Sequence, residues 1–181
     1  MRKLLLTLLI GTISLGPALF AAPRASREYL TKEEIALVQA KQKIGPRIEY
    51  YLRIAELRLE SARARLEGEE TLPGDPLEYF TPEDMLDGYY RILNSVMLNL
   101  EEAYQKSGFD AASLQKALKE LNKRTEECSR ILGVLETLAK ERDDEEMQRL
   151  VARASDITHG AREGASQALR ALEEESREKE K

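Results

Sequence analysis

The chain has 181 residues, with 28 Lys and Arg against 33 Asp and Glu, a formal net charge of −5, one cysteine, one histidine and no tryptophan. Acidic and basic residues are finely interspersed, which argues against a nucleic-acid partner, since phosphate binding wants a clustered basic face. A single cysteine closes no internal disulfide, so packing alone must hold the fold, and Cys128 counts only if it pairs between chains.

Arg2 and Lys3 precede an apolar stretch from Leu4 to Leu15, and Gly16-Pro17 with Ala18, Ala21 and Ala22 follow. Charge, then apolar run, then small residues is the order of an export signal. The expected cut lies between Ala21 and Ala22, giving a signal peptide over 1–21, a linker over 22–30, a helical domain over 31–172 and a charged tail over 173–181. Cleavage removes Arg2 and Lys3 and takes the charge from −5 to −7. Left uncleaved, the nineteen residues from Leu4 to Ala22 would be close to the ~20 a membrane span needs. The expected location is periplasmic or secreted, and membrane association is expected only if the segment is retained. No cysteine follows the signal, so no lipid anchor is expected.

Helix formers dominate the remainder, and no stretch alternates apolar and polar as a strand does. The first helix is expected from about Lys32 to Glu67, with Thr31 and Glu34 at capping-box spacing. Gly45-Pro46 should kink or split it. Beyond that break, Ile48, Leu52, Ala55, Leu59, Ala62 and Leu66 step by four and three along one face.

Gly68 ends this helix, and Gly68 to Phe80 forms the longest loop, carrying Pro73, Gly74 and Pro76. Loops beyond about 12 residues are uncommon in compact domains and are often functional, so this is the first place to look for a site. The plainer reading is a connection between helices.

Thr81-Pro82-Glu83-Asp84 starts the second helix: Thr as cap, Pro in the first turn, and acids at the positive end. It runs to about Lys106 with a stripe of Met85, Tyr89, Ile92, Val96, Leu100 and Ala103, and Gly108 closes it. Phe109 and Leu114 have the spacing of a hydrophobic staple. The third helix carries Leu114, Leu118, Leu121, Thr125, Cys128, Leu132, Leu135 and Ala139. A break at Arg142-Asp143-Asp144 precedes the fourth, which starts near Glu145 and turns inward Val151, Ala154, Ile157, Ala161, Ala165, Ala168 and Leu172. Gly160 and Gly164 cost about 1 kcal/mol each in a helix interior. A closely packed neighbour is the expected reason they are tolerated. The tail from Glu173 is expected to fray.

Acids four residues ahead of bases recur on the outer faces, as at Glu120 and Arg124 or Glu136 and Lys140. The fold these features predict is all-α: an antiparallel four-helix bundle with a Gly-Pro kink in the first helix, preceded by a signal peptide.

Catalytic and metal chemistry find little purchase. Asp156 and His159 share a helical face, but a di-iron bundle needs two histidines. The Cys-x-x-Cys-His of covalent haem attachment is absent. Cys128 lies in an apolar stripe, where a thiol packs as a small hydrophobe. No enzyme activity and no cofactor are expected. Tyr50, Tyr51, Tyr79, Phe80, Tyr89 and Tyr90 form the candidate interaction surface, because aromatic rings are enriched at interfaces; the plainer reading is core and core rim.

Leu30-Thr31-Lys32-Glu33-Glu34 and Phe80-Thr81-Pro82-Glu83-Asp84 resemble the Leu-Thr-x-x-Gln motifs of the small helical periplasmic stress chaperones. Neither copy has the glutamine, the second lacks the leucine, and helix capping alone accounts for both. The expected function is that of an exported, non-enzymatic helical bundle acting through protein interaction or self-association. The alternatives are a chaperone-like binder of unfolded or envelope proteins, for which the Gly68 to Phe80 loop and the Gly45-Pro46 kink would supply mobility, and a metal- or small-molecule-binding bundle.

Overall fold

The computed structural model describes residues 28–105 and 110–179. The expected signal peptide, most of the linker and the Phe109 staple lie outside these residues. Five helices account for most of what is described: α1 Lys32–Ala40, α2 Ile44–Leu66, α3 Pro82–Gln105, α4 Ala111–Glu141 and α5 Glu145–Lys179. The described residues are all-helical, with no strand among them.

The first predicted helix is two helices. α1 begins with the capping box the sequence announces: Thr31 Oγ1 accepts from the Glu34 amide at 3.2 Å, and Glu34 Oε2 accepts from the Thr31 amide at 2.7 Å. It ends at Ala40, and Lys41 and Lys43 are extended. The break therefore falls ahead of Gly45-Pro46, so these residues do not kink a continuous helix. Pro46 sits in the first turn of α2, where its missing amide costs nothing because first-turn amides have no intrahelical acceptor.

Two helix ends show how the chain turns. At the end of α2, Gly68 adopts φ 92°, its amide donates to the Arg65 carbonyl, and the Glu69 amide donates to the Ala64 carbonyl. This is a Schellman motif, and it needs a residue in the left-handed region. α4 ends the same way with Asp143 at φ 52°, the Asp143 amide on Lys140 and the Asp144 amide on Ala139. Asp144 then caps α5, its Oδ1 accepting from the Met147 amide at 3.0 Å. Three residues thus close one helix and open the next in the reverse direction.

Cross-helix pairs fix the arrangement. Arg124 with Glu56 and Arg142 with Leu66 align α2 and α4 in parallel. Tyr89 with Thr158 and Tyr104 with Glu175 do the same for α3 and α5, while Gln148 with Ala139 and Arg162 with Glu126 make α4 and α5 antiparallel. α2 packs on α3 and α4, and α5 on α4 and α3, whereas the consecutive helices α3 and α4 touch only slightly. Two helical hairpins are therefore laid side by side, and α3 and α4 face each other across the diagonal.

The core follows the stripes. All six α2 stripe residues and all eight of α4 are buried. In α3 and α5 the stripe residues are buried except Ala103 and Ala168, which are half-buried. α5 continues past Glu173 to Lys179, since no Gly or Pro intervenes. One expectation fails: no neighbour presses on Gly160 or Gly164, because a Cβ built on either meets nothing within 4 Å.

Candidate functional site

Of the six aromatic residues that form the candidate surface, the structure brings few together on the outside. Tyr89 is in the centre of the core, 0% exposed. Thr158 spends its one hydroxyl proton on the Ala154 carbonyl at 2.6 Å, so Tyr89 must donate to Thr158 Oγ1, also at 2.6 Å. Burial, and then the neighbouring Cys128, hold the Tyr89 phenol well above its usual pKa. Tyr51 is buried as well, and burial again raises its pKa.

Three further rings are half-buried beneath cations. The Lys41 ammonium lies 5.2 Å from the Tyr50 centroid, the Arg58 guanidinium 5.3 Å from Phe80, and the Arg153 guanidinium 3.7 Å from Tyr90. Burial, followed by the nearby Glu34, raises the Tyr50 pKa. Tyr79 differs from all of these, being 76% exposed.

Tyr79 belongs to the connection between α2 and α3, residues 67–81, which is braced along its length. The Asp75 amide donates to Leu72, the Glu78 amide to Asp75 and the Phe80 amide to Leu77, all at 2.9–3.1 Å. Asp75 Oδ1 accepts from the Leu77 amide at 2.7 Å, and Glu78 Oε2 from the Gly74 amide at 3.0 Å. Gly74 adopts φ 86°, which a side chain would oppose. Leu77 is buried, and its carbonyl accepts from the Arg65 guanidinium. The guanidinium of Arg142, in the α4–α5 turn, donates to the Leu66 carbonyl at the negative end of α2, tying in the base of the loop. From this framework Leu72 projects with the same 76% exposure as Tyr79. Sequence reasoning passed over Leu72, although an aliphatic residue between Thr71 and Pro73, in a segment that cannot be helical, was the available signal.

Beside this loop lies a second feature the sequence did not announce. Arg58, in α2, is 0% exposed. Its Nη2 donates to Glu34 Oε2 at 2.6 Å and to the Tyr29 carbonyl at 3.3 Å, while Nε and Nη1 make no hydrogen bond among the described residues. Gly88 of α3 packs beside it, and a Cβ there would meet Arg58 Nε at 3.8 Å, an ordinary van der Waals contact. Arg58 thus holds the amino-terminal segment, α1 and Phe80 to the α2–α3 hairpin.

The groups considered for chemistry are placed as follows. His159 is exposed and lies 3.3 Å from Glu163 of its own helix. Cys128 is buried, and its thiol is pushed up to about 12, chiefly by burial. Among the described residues no group of three or more His, Cys, Asp or Glu side chains is arranged to hold a metal ion, and no helix is long and apolar enough to cross a membrane. The chain matches no family model, and neither a curated protein nor a solved structure is significantly similar to it.

Proposed function

We propose that this protein is an exported, non-enzymatic four-helix bundle that acts by binding another protein, with the loop between α2 and α3 as its contact surface. Two antiparallel hairpins, α2–α3 and α4–α5, set side by side so that α2 runs parallel to α4 and α3 to α5, suit a four-helix bundle with mixed rather than wholly antiparallel neighbours, and α1 lies against α2. The observation that carries the reading is the exposure of Leu72 and Tyr79, 76% each, on a loop fixed by its own hydrogen bonds. Large apolar side chains held outward on a preorganised framework lose little entropy on binding. The inert thiol of Cys128 and the solvated, internally paired His159 support a non-enzymatic role.

Bracing also weighs between a specific partner and a chaperone's many clients. Promiscuous binders rely on flexible surfaces that re-pack. A loop with three successive turn bonds and a buried anchor at Leu77 suits one shape of partner instead.

Photo-crosslinking in the native host tests this. A photoreactive residue at position 72 or 79 should give a discrete adduct, and the same residue at Leu98, which is 51% exposed on α3, should not. Equal labelling at all three positions would contradict the reading. Export has a separate test: mass spectrometry of the mature protein should find Ala22 at its amino terminus, and an intact Met1 segment would make it a tethered protein.

A further inference from the structure

At the end of the molecule away from the loop, α3, α4 and α5 do not close on one another. They leave a half-open recess of about 260 Å³. Met97, Leu100 and Tyr104 of α3 form one side, and Leu114, Leu118 and Leu121 of α4 another. The third wall, from α5, is made only of small residues, Ala161, Gly164, Ala165 and Ala168. Ala161 and Ala165 are buried where α5 packs on its neighbours, but a Cβ on Gly164 would meet nothing within 4 Å, so at Gly164 the wall leaves space. An apolar cavity of about 150 Å³ is known to take up benzene, so this volume suits a longer aliphatic group.

Charge at the mouth narrows the choice. Among the described residues Glu101 is the one charged residue lining the recess, and it is exposed. Tyr104 arches from α3 to α5, donating its hydroxyl proton to Glu175 Oε1 at 3.0 Å. That contact with Glu175 raises the Tyr104 pKa, which keeps the phenol a donor. Both acids that frame the opening are carboxylates. A second anion placed there would be repelled, and a cation attracted.

We infer that this recess binds the aliphatic chain of a small single-chain amphiphile whose head group is cationic or uncharged, with Glu101 beside the head. The apolar lining accounts for the chain, the volume for its medium length, and the carboxylates for the sign of the head. The recess lies about 20 Å along α3 from the loop end, at ~1.5 Å per residue between Met85 and Leu100. The two sites are therefore separate.

Titration calorimetry of the unsubstituted chain with decylamine, decanol and decanoate should show saturable binding of the first two, one per chain, and at least tenfold weaker binding of decanoate. Glu101→Gln should narrow that gap at least threefold. Ala168→Phe, which fills the half-buried wall, should abolish binding while circular dichroism stays helical. No saturable binding, decanoate binding as tightly as decylamine, or undiminished binding by a folded Ala168→Phe protein would each overturn the proposal. If that variant fails to fold, the Glu101→Gln comparison still decides it.

Discussion

Glu34 Oε2 accepts two hydrogen bonds at once, from the Thr31 amide at 2.7 Å and from Arg58 Nη2 at 2.6 Å. One carboxylate therefore both starts α1 and neutralises the only guanidinium in the structure that is wholly shielded from water among the described residues. α1 is nine residues long, too short to hold itself as a helix. Its place depends on this contact and on Val38, its one buried apolar residue.

An asymmetry in stability follows. Glu34→Ala leaves a buried charge without its partner and should cost about 3 kcal/mol, whereas Arg58→Met removes the charge itself and should cost under about 1 kcal/mol. Urea denaturation measures both. Amide exchange should accelerate over residues 32–40 in both variants, because either one removes the contact that holds α1. Unchanged exchange there would mean that the ion pair does not hold α1, and equal stability losses would mean that an unpaired Arg58 carries no burial penalty.

Cys128 makes the fold sensitive to alkali. Its pKa rises from 9.0 to about 12 because the thiolate would be buried. Below pH 9 the thiol is protonated in both states, and stability is unaffected. Between about 9 and 12 the unfolded chain loses the proton while the folded chain keeps it, so stability falls by up to about 1.4 kcal/mol per pH unit. Cys128→Ala removes this contribution. The stability difference between wild type and variant should shift steadily in the variant's favour across that range, and thiol reagents at pH 8 should label the native protein only as it unfolds. Fast labelling would contradict the burial.

Gly160 is exposed in mid-helix and has an open surrounding. Replacing it by Ala should stabilise the protein by about 0.5–1 kcal/mol through helix propensity. In a domain of this size that raises Tm by roughly 1–4 °C. A fall in Tm would instead reveal a neighbour pressing on that face.

Much of the fold is legible in the sequence because one physical signal, apolar residues at steps of three and four, is repeated along every long helix. Leu114 to Ala139 maps residue for residue onto buried positions. Capping signals are local and equally plain, as at Thr31 and Thr81, whose hydroxyl accepts from the Asp84 amide at 3.2 Å. Arg58 is hidden from this kind of reading. It sits four residues after Ile54 on a flank of α2 that is buried by α1 and the amino-terminal segment, and a charged residue on a flank reads as solvated until those elements are in place. The tyrosine pairs illustrate the converse: helical spacing says that adjacent rings diverge, but only the tertiary arrangement puts Tyr89 in the core and a cation over Tyr90. The recess is invisible for a related reason, since alanines and glycines in α5 read as a close-packing seam unless the positions of α3 and α4 are known. The order of the helices around the core is likewise not encoded in any stripe.

The central claim is that Leu72 and Tyr79 carry partner recognition. Its most direct test is the affinity of the double variant Leu72→Asp/Tyr79→Asp for the protein crosslinked at those positions, measured by titration calorimetry. Two exposed loop residues contribute little to folding, so Tm should stay within about 2 °C of wild type. Affinity should fall at least a hundredfold, about 2.7 kcal/mol, as expected when apolar anchors are lost. Unchanged affinity, or an equal loss from Leu98→Asp, would contradict the account.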